Sequence, residues 1–217
     1  SMVAGAVTAY YQRDLKRMLA YSSISQIGYI LIGLGTGTEL GICGALFHAF
    51  NHASFKALLF LNSGAIQYRL HTRDMHEMGG LESRMPVTTN TAILGTLSIA
   101  GIPPFNGFWS KLFIILGALA ARQYVVATLA TVFSVFTLGY FLVIHRRVFF
   151  GKLNAKWAEV KEAPVFMCAA MILLAGVCFF TGLFMPVVKA RVLDPATRVV
   201  MPKPAVVAPA AAPLGGH

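Results

Sequence analysis

Apolar residues in this chain come in long blocks, not in alternation and not as narrow stripes. Residues 2–11 form a short apolar stretch. The blocks 18–36, 40–67, 86–120, 122–149 and 163–187 follow, each bounded by charge or by turn residues. Runs of about 20 apolar residues match the hydrocarbon thickness of a bilayer. In hydrocarbon the backbone must satisfy its own hydrogen bonds, so such blocks are helices. A β-barrel would instead show alternation over roughly ten residues per strand. The pattern therefore predicts an all-α integral membrane protein built as a multi-pass bundle.

The polar intervals set the organisation. Gln12–Arg17 is a charged connector, a short turn ends at Glu39, and 68–85 is a charged loop. The block 86–120 is too long for one simple span. It is interrupted by Gly101-Ile102-Pro103-Pro104-Phe105-Asn106-Gly107, and proline both removes a donor and disfavours helix before it. Two arrangements fit: one discontinuous helix, or two short helices in a hairpin. The expected division is a helical bundle over 1–149, a basic connector and final transmembrane helix over 150–187, and a Pro/Ala-rich tail over 188–217. The end of that tail, MPKPAVVAPAAAPLGGH, is expected to be extended and poorly ordered.

Composition agrees. Of 217 residues, 57% are hydrophobic and 12% charged, against about a quarter charged in soluble domains. The net charge of +10 sits at the ends of apolar blocks. It points to lipid headgroups, not to nucleic acid. Basic residues are expected on both membrane faces, with 13–17, 69–84 and the tail set against 146–161. Cys43, Cys168 and Cys178 lie inside apolar blocks without metal-ligand spacing and read as small hydrophobes. The opening Ser1-Met2-Val3 already runs in apolar sequence, as the tail of a longer helix does. A split subunit, a fragment and part of something longer all fit that beginning.

Chemistry concentrates in two places. His48, His52 and Lys56 are spaced by four, which keeps them on one helix face and steps them about 6 Å along the axis. They lie well inside the block 40–67, too deep for Lys56 to snorkel to the surface easily. A charge at the bilayer centre costs roughly 2.5–3.5 kcal/mol on insertion scales. A water-filled path, a counter-charge or a bundle interior must offset that cost, yet no carboxylate lies inside any apolar block. A structural lysine paired from another chain is the plainer alternative. Histidine titrates near neutral pH, so the trio suits a proton relay; metal binding by the histidine pair lacks a third ligand. The second place is the break at Pro103, Pro104 and Gly107, with Ser110 and Lys111 just beyond it. Broken membrane helices mark ion and substrate sites. Lys16 and Ser25 are accessory candidates, although an anchoring role suits Lys16 and close helix packing suits the serines of 22–25. His145 is expected at the interface, and His71 and His76 in solvent. Ser134 and Thr137 are expected to bond back to their own helix.

Three strings carry a resemblance: QRDLKRMLAYSSISQIGYI, FHAFNHASFKALLFL and MPVTTNTAILGTLSIAGIPPFNGFWSK, in this order. They resemble the proton-conducting antiporter-like subunits of respiratory complex I, Mrp-type antiporters, membrane-bound hydrogenases and formate hydrogenlyases. The likeness is strong over roughly residues 5–120. It implies the second of two inverted five-helix repeats, with a discontinuous helix, plus one final helix. It also implies that Lys56, His48 and His52 form the central relay and that Lys111 is the ionisable group on the broken helix. GIPPFNGFWSK is nearer the Mrp and hydrogenase branches than the complex I subunit with glutamate there. The implied function is proton translocation, or exchange with sodium, in a redox-driven respiratory or hydrogenase complex. The alternatives are part of an Mrp-type antiporter and a non-conducting bracing subunit. No cofactor, metal or catalytic redox site is expected in this chain. Expected partners are lipids and other membrane subunits, one of which supplies the missing first bundle. The expected location is a prokaryotic inner membrane.

Overall fold

A computed structural model describes residues 1–201, which contain helices and no strand. The main helices are α1 (Met2–Tyr10), α2 (Leu15–Gly35), α3 (Glu39–Leu70), α4 (Pro86–Ala100), α5 (Asn106–Ala120), α6 (Tyr124–Val148) and α7 (Val165–Leu183). Beyond α7, α8 (Met185–Val188) runs through a π-helical turn, Lys189–Leu193, into α9 (Asp194–Val200). Residues 188–200 of the expected tail are thus helical. The stretch expected to be extended lies almost wholly at 202–217, outside the described residues.

Local sequence accounts for the helix ends. Asp14 caps α2 by accepting from Arg17 N at 3.0 Å, and Thr38 caps α3 by accepting from Gly41 N at 3.1 Å. Pro86 occupies the first turn of α4, where its missing donor costs nothing. α3 ends on His71, in the left-handed region at φ 54°. With 32 residues α3 is about 48 Å long, more than a bilayer requires. α2, α6 and α7 are each long and apolar enough to cross one.

α4 and α5 have 15 residues each, about 22 Å apiece, so neither crosses alone. Their outer ends lie at opposite poles of the bundle. The start of α4 is held by Glu162, from the connector before α7, whose carboxylate accepts from Val87 N at 2.7 Å and Thr88 Oγ1 at 2.6 Å. Near the end of α5, Gly117 O accepts from Thr38 Oγ1, at the start of α3, at 3.3 Å. The two helices therefore make one crossing in series, which removes the hairpin. Four crossings result (α2, α3, α4 with α5, and α6), α7 adds a final one, and α1, with nine residues, is too short to cross.

This count corrects the expected charge distribution. One break-containing pass, not two, brings Arg146, Arg147, Lys152, Lys156 and Lys161 to the same pole as 13–17 and 69–84. Contacts confirm the pole: Leu15 N donates to Arg73 O at 3.0 Å, and Trp157 Nε1 donates to Glu77 O at 2.8 Å. Arg122, Lys189, Arg191 and Arg198 lie at the opposite pole.

Candidate functional site

The break is shaped by two glycines. Gly101 ends α4 at φ +83°, a conformation that disfavours any side chain. Gly107, in the first turn of α5, lies so close to α4 that a Cβ would collide with Ser98 O. Pro103 and Pro104 are exposed on the loop between them.

Ending α4 inside the bundle leaves its last carbonyls without helical partners. Lys111 supplies them. Its Nζ donates to Ile99 O at 2.8 Å, Ala100 O at 3.4 Å and Ser134 Oγ at 3.2 Å, and lies 4.7 Å from the Tyr29 ring centroid. A cation at a helix C-terminus also meets the negative end of the macrodipole. Ser134 donates to Ala100 O at 2.9 Å, so it belongs to this site and does not bond back to its own helix. Thr137 does bond back, to Phe133 O at 2.7 Å.

Next to Lys111, Ser110 joins the broken helix to α3. Its hydroxyl is 2.9 Å from His48 Nδ1, while His48 Nε2 is 3.2 Å from Gln26 Oε1 on α2. His48, Ser110 and Gln26 are all fully buried. One turn further, Asn51 Nδ2 donates to Asn106 O at 3.0 Å. Asn106 in turn accepts from Ser98 Oγ at 2.5 Å and donates to Thr181 Oγ1 at 3.0 Å.

Lys56 is two turns from His48 on α3 and 5% exposed. Its Nζ donates to Leu19 O at 2.7 Å and to Ser22 Oγ, so the ammonium reaches back along α2 toward the basic pole. Among the described residues, no carboxylate meets either lysine. The ion pairs among the described residues are Arg73–Asp14 and Lys189–Asp194, both near the surface.

The remaining candidates are dispersed. His52 is half-buried; its Nε2 is buried without a hydrogen-bond partner among the described residues, and its ring packs edge-on to Phe55. Lys16 is half-buried in the first turn of α2. Ser25 is buried where α1 packs on α2 at Gly5, its hydroxyl without a hydrogen-bond partner among the described residues. His71 and His76 are exposed. Cys43 and Cys178 are buried thiols, and Cys168 is half-buried.

His145, expected at the interface, is instead turned into the bundle. It is 5% exposed and sits 2.6 Å from Thr96 Oγ1 of α4. Gln26, Tyr29 and Asn106 are site residues that the pattern did not single out. Gln26 follows a run of serines and Asn106 lies in the break, and only the partner on another helix reveals each as part of the site.

Comparison with known proteins places this geometry. Residues 1–137 match the family described as NADH:quinone oxidoreductase/Mrp antiporter, transmembrane. The chain is 34% identical over 228 residues to a Na+/H+ antiporter subunit of Alkalihalophilus pseudofirmus, covering 93% of this chain and 28% of the relative. It is 38% identical over 205 residues to hydrogenase-4 component B of Escherichia coli, covering 84% and 30%. The Mrp complex of Dietzia sp. DQ12-45-1b superposes with a TM-score of 0.86 at 26% identity, covering 93% of this chain and 46% of that one. The chain thus spans less than a third of these two curated relatives.

Proposed function

This chain belongs to the NADH:quinone oxidoreductase/Mrp antiporter family of antiporter-like membrane subunits, and from that premise we propose that it moves protons along Lys111, His48, His52 and Lys56. The observation that carries the reading is the pair of buried lysines held by neutral acceptors alone, with His48 hydrogen-bonded between their helices. An amine with no fixed counter-charge is free to release its proton without stranding a buried anion. Adjacent charges in a low-dielectric interior also influence one another strongly, so a proton arriving at one lysine repels the next. The serine hydroxyls and the imidazoles accept and donate in turn, and each His48–His52–Lys56 step is about 6 Å along the axis. Water between the steps completes the chain of hops.

In this reading the subunit works in the inner membrane of a prokaryote, beside membrane partners that supply a first helical bundle. Redox chemistry, of the NADH:quinone oxidoreductase or hydrogenase type, belongs to other subunits of the complex. Lys56→Ala and Lys111→Ala test the relay in the purified complex, reconstituted into vesicles and followed with a pH-sensitive dye. Each is expected to abolish proton flux while the complex still assembles; unchanged flux in both overturns the relay. A sodium gradient across the same vesicles tests exchange, which requires that it drive proton movement and that Lys111→Ala stop it.

A further inference from the structure

A second group of buried polar side chains lies outside the relay, between Lys56 and the basic pole. His145, in the last turn of α6, is 5% exposed, yet Arg146 and Arg147 immediately after it are exposed. Its Nε2 is engaged with Thr96 Oγ1 at 2.6 Å. Its Nδ1 is buried and has no hydrogen-bond partner among the described residues. On α3, Ser63 is 3% exposed, and its hydroxyl is likewise unpartnered. Both residues line a cavity of about 20 Å³, measured by the centre of a water-sized sphere, whose other walls are mostly apolar and include Leu15, Leu19, Asn62 and Thr96. On that measure a water needs about 10–15 Å³ and at least two polar partners, and the His145 Nδ1 and the Ser63 hydroxyl are the two unpartnered groups that could hold it.

The cavity is placed to serve Lys56. Ser63 is two helical turns from Lys56 on the same face of α3, about 10 Å along the axis toward the basic pole. Leu19, whose carbonyl accepts from the Lys56 ammonium, also lines the cavity. An imidazole with one nitrogen anchored and the other unpartnered, one turn inside the surface, is suited to pass a proton inward.

We propose that His145 is the entry residue of an access route from the basic pole to Lys56, with Ser63 and one cavity water as its inner steps. The proposal rests on the relay reading above. A proton from water at the basic pole binds the unpartnered Nδ1, breaking one O–H bond and forming one N–H bond, and it leaves again from Nδ1 while Nε2 keeps its bond to Thr96. The imidazolium gives a proton to the cavity water, whose own proton passes by way of the Ser63 hydroxyl to the neutral Lys56 amine. Each step breaks one N–H or O–H bond and forms another, so the imidazole returns to its starting state.

The test uses the assembled complex in vesicles. His145→Phe keeps an aromatic ring able to stack on Phe149 but cannot carry a proton. It is expected to slow flux about a hundredfold, the lower range for a positioned proton-transfer group, with subunit content unchanged. In His145→Ala, added imidazole is expected to restore flux, and pyrrole, a ring of similar size that does not bind protons, is not. Normal flux in His145→Phe while Lys56→Ala abolishes it overturns the access route and leaves the relay standing. Normal flux in Lys56→Ala overturns both. Should His145→Phe fail to assemble, the imidazole and pyrrole arms on His145→Ala decide: equal rescue by both rings, or by neither, overturns the proposal.

Discussion

At the residue scale, the two lysines solve their burial in different ways. Lys111 replaces the hydrogen bonds that α4 loses by stopping inside the bundle, so its own break provides its acceptors. Lys56 instead borrows the carbonyl of Leu19 and the hydroxyl of Ser22 from α2. His48 contacts both neighbouring helices, which makes it the residue whose loss most directly separates the lysines. His48→Leu is expected to cut proton flux in vesicles by roughly a hundredfold. Ser110→Ala is expected to cut it less, since a water occupying the vacated space replaces the hydroxyl. Equal effects, or none for His48→Leu, contradict this ordering. Both lysines stand out in the sequence because a charge inside an apolar run demands a partner or a polar path. Their acceptors do not, because a backbone carbonyl on another helix leaves no mark on composition. His145 is misread for a related reason: it closes an apolar block beside two arginines, and only Thr96 on α4 shows that it turns inward.

At the element scale, the broken span depends on close approach at one end and on a borrowed cap at the other. Gly107→Ala puts a Cβ against Ser98 O. Overpacking of this kind costs about 1–3 kcal/mol, so a lower unfolding temperature of the solubilised complex is expected, and an unchanged one contradicts the tight crossing. Glu162→Ala removes the carboxylate that accepts from Val87 N and Thr88 Oγ1. Loss of such a cap costs about 1–2 kcal/mol, and faster hydrogen exchange at the Val87 and Thr88 amides is the readout. Exchange as slow as in the unsubstituted protein contradicts the capping role. The break itself is legible in Gly101-Ile102-Pro103-Pro104-Phe105-Asn106-Gly107. Whether the chain turns back there is not, because proline ends a helix without fixing the direction of the next one. Glu162 resolves it only in three dimensions, seventy-odd residues away from the amides it caps.

At the scale of the whole molecule, the single broken pass gathers Arg13, Lys16, Arg17, Arg69, Arg73, Arg84 and the 146–161 cluster at one pole. Such an excess of lysine and arginine near membrane ends marks the cytoplasmic side. A membrane-impermeant thiol reagent added to intact cells is expected to label Arg122→Cys and to spare Lys152→Cys; the reverse pattern inverts the orientation. The family and the bundle are legible in the three ordered strings, and the superposition on an Mrp complex agrees with them. What the account stands on is that Lys56 and Lys111 act by carrying protons and not by packing. Methionine has nearly the length and flexibility of lysine and no titratable group. Proton flux through the reconstituted complex carrying Lys56→Met or Lys111→Met is the most direct measurement of that point. The account predicts an assembled complex with no flux in either variant; an assembled complex that pumps at the normal rate would contradict it.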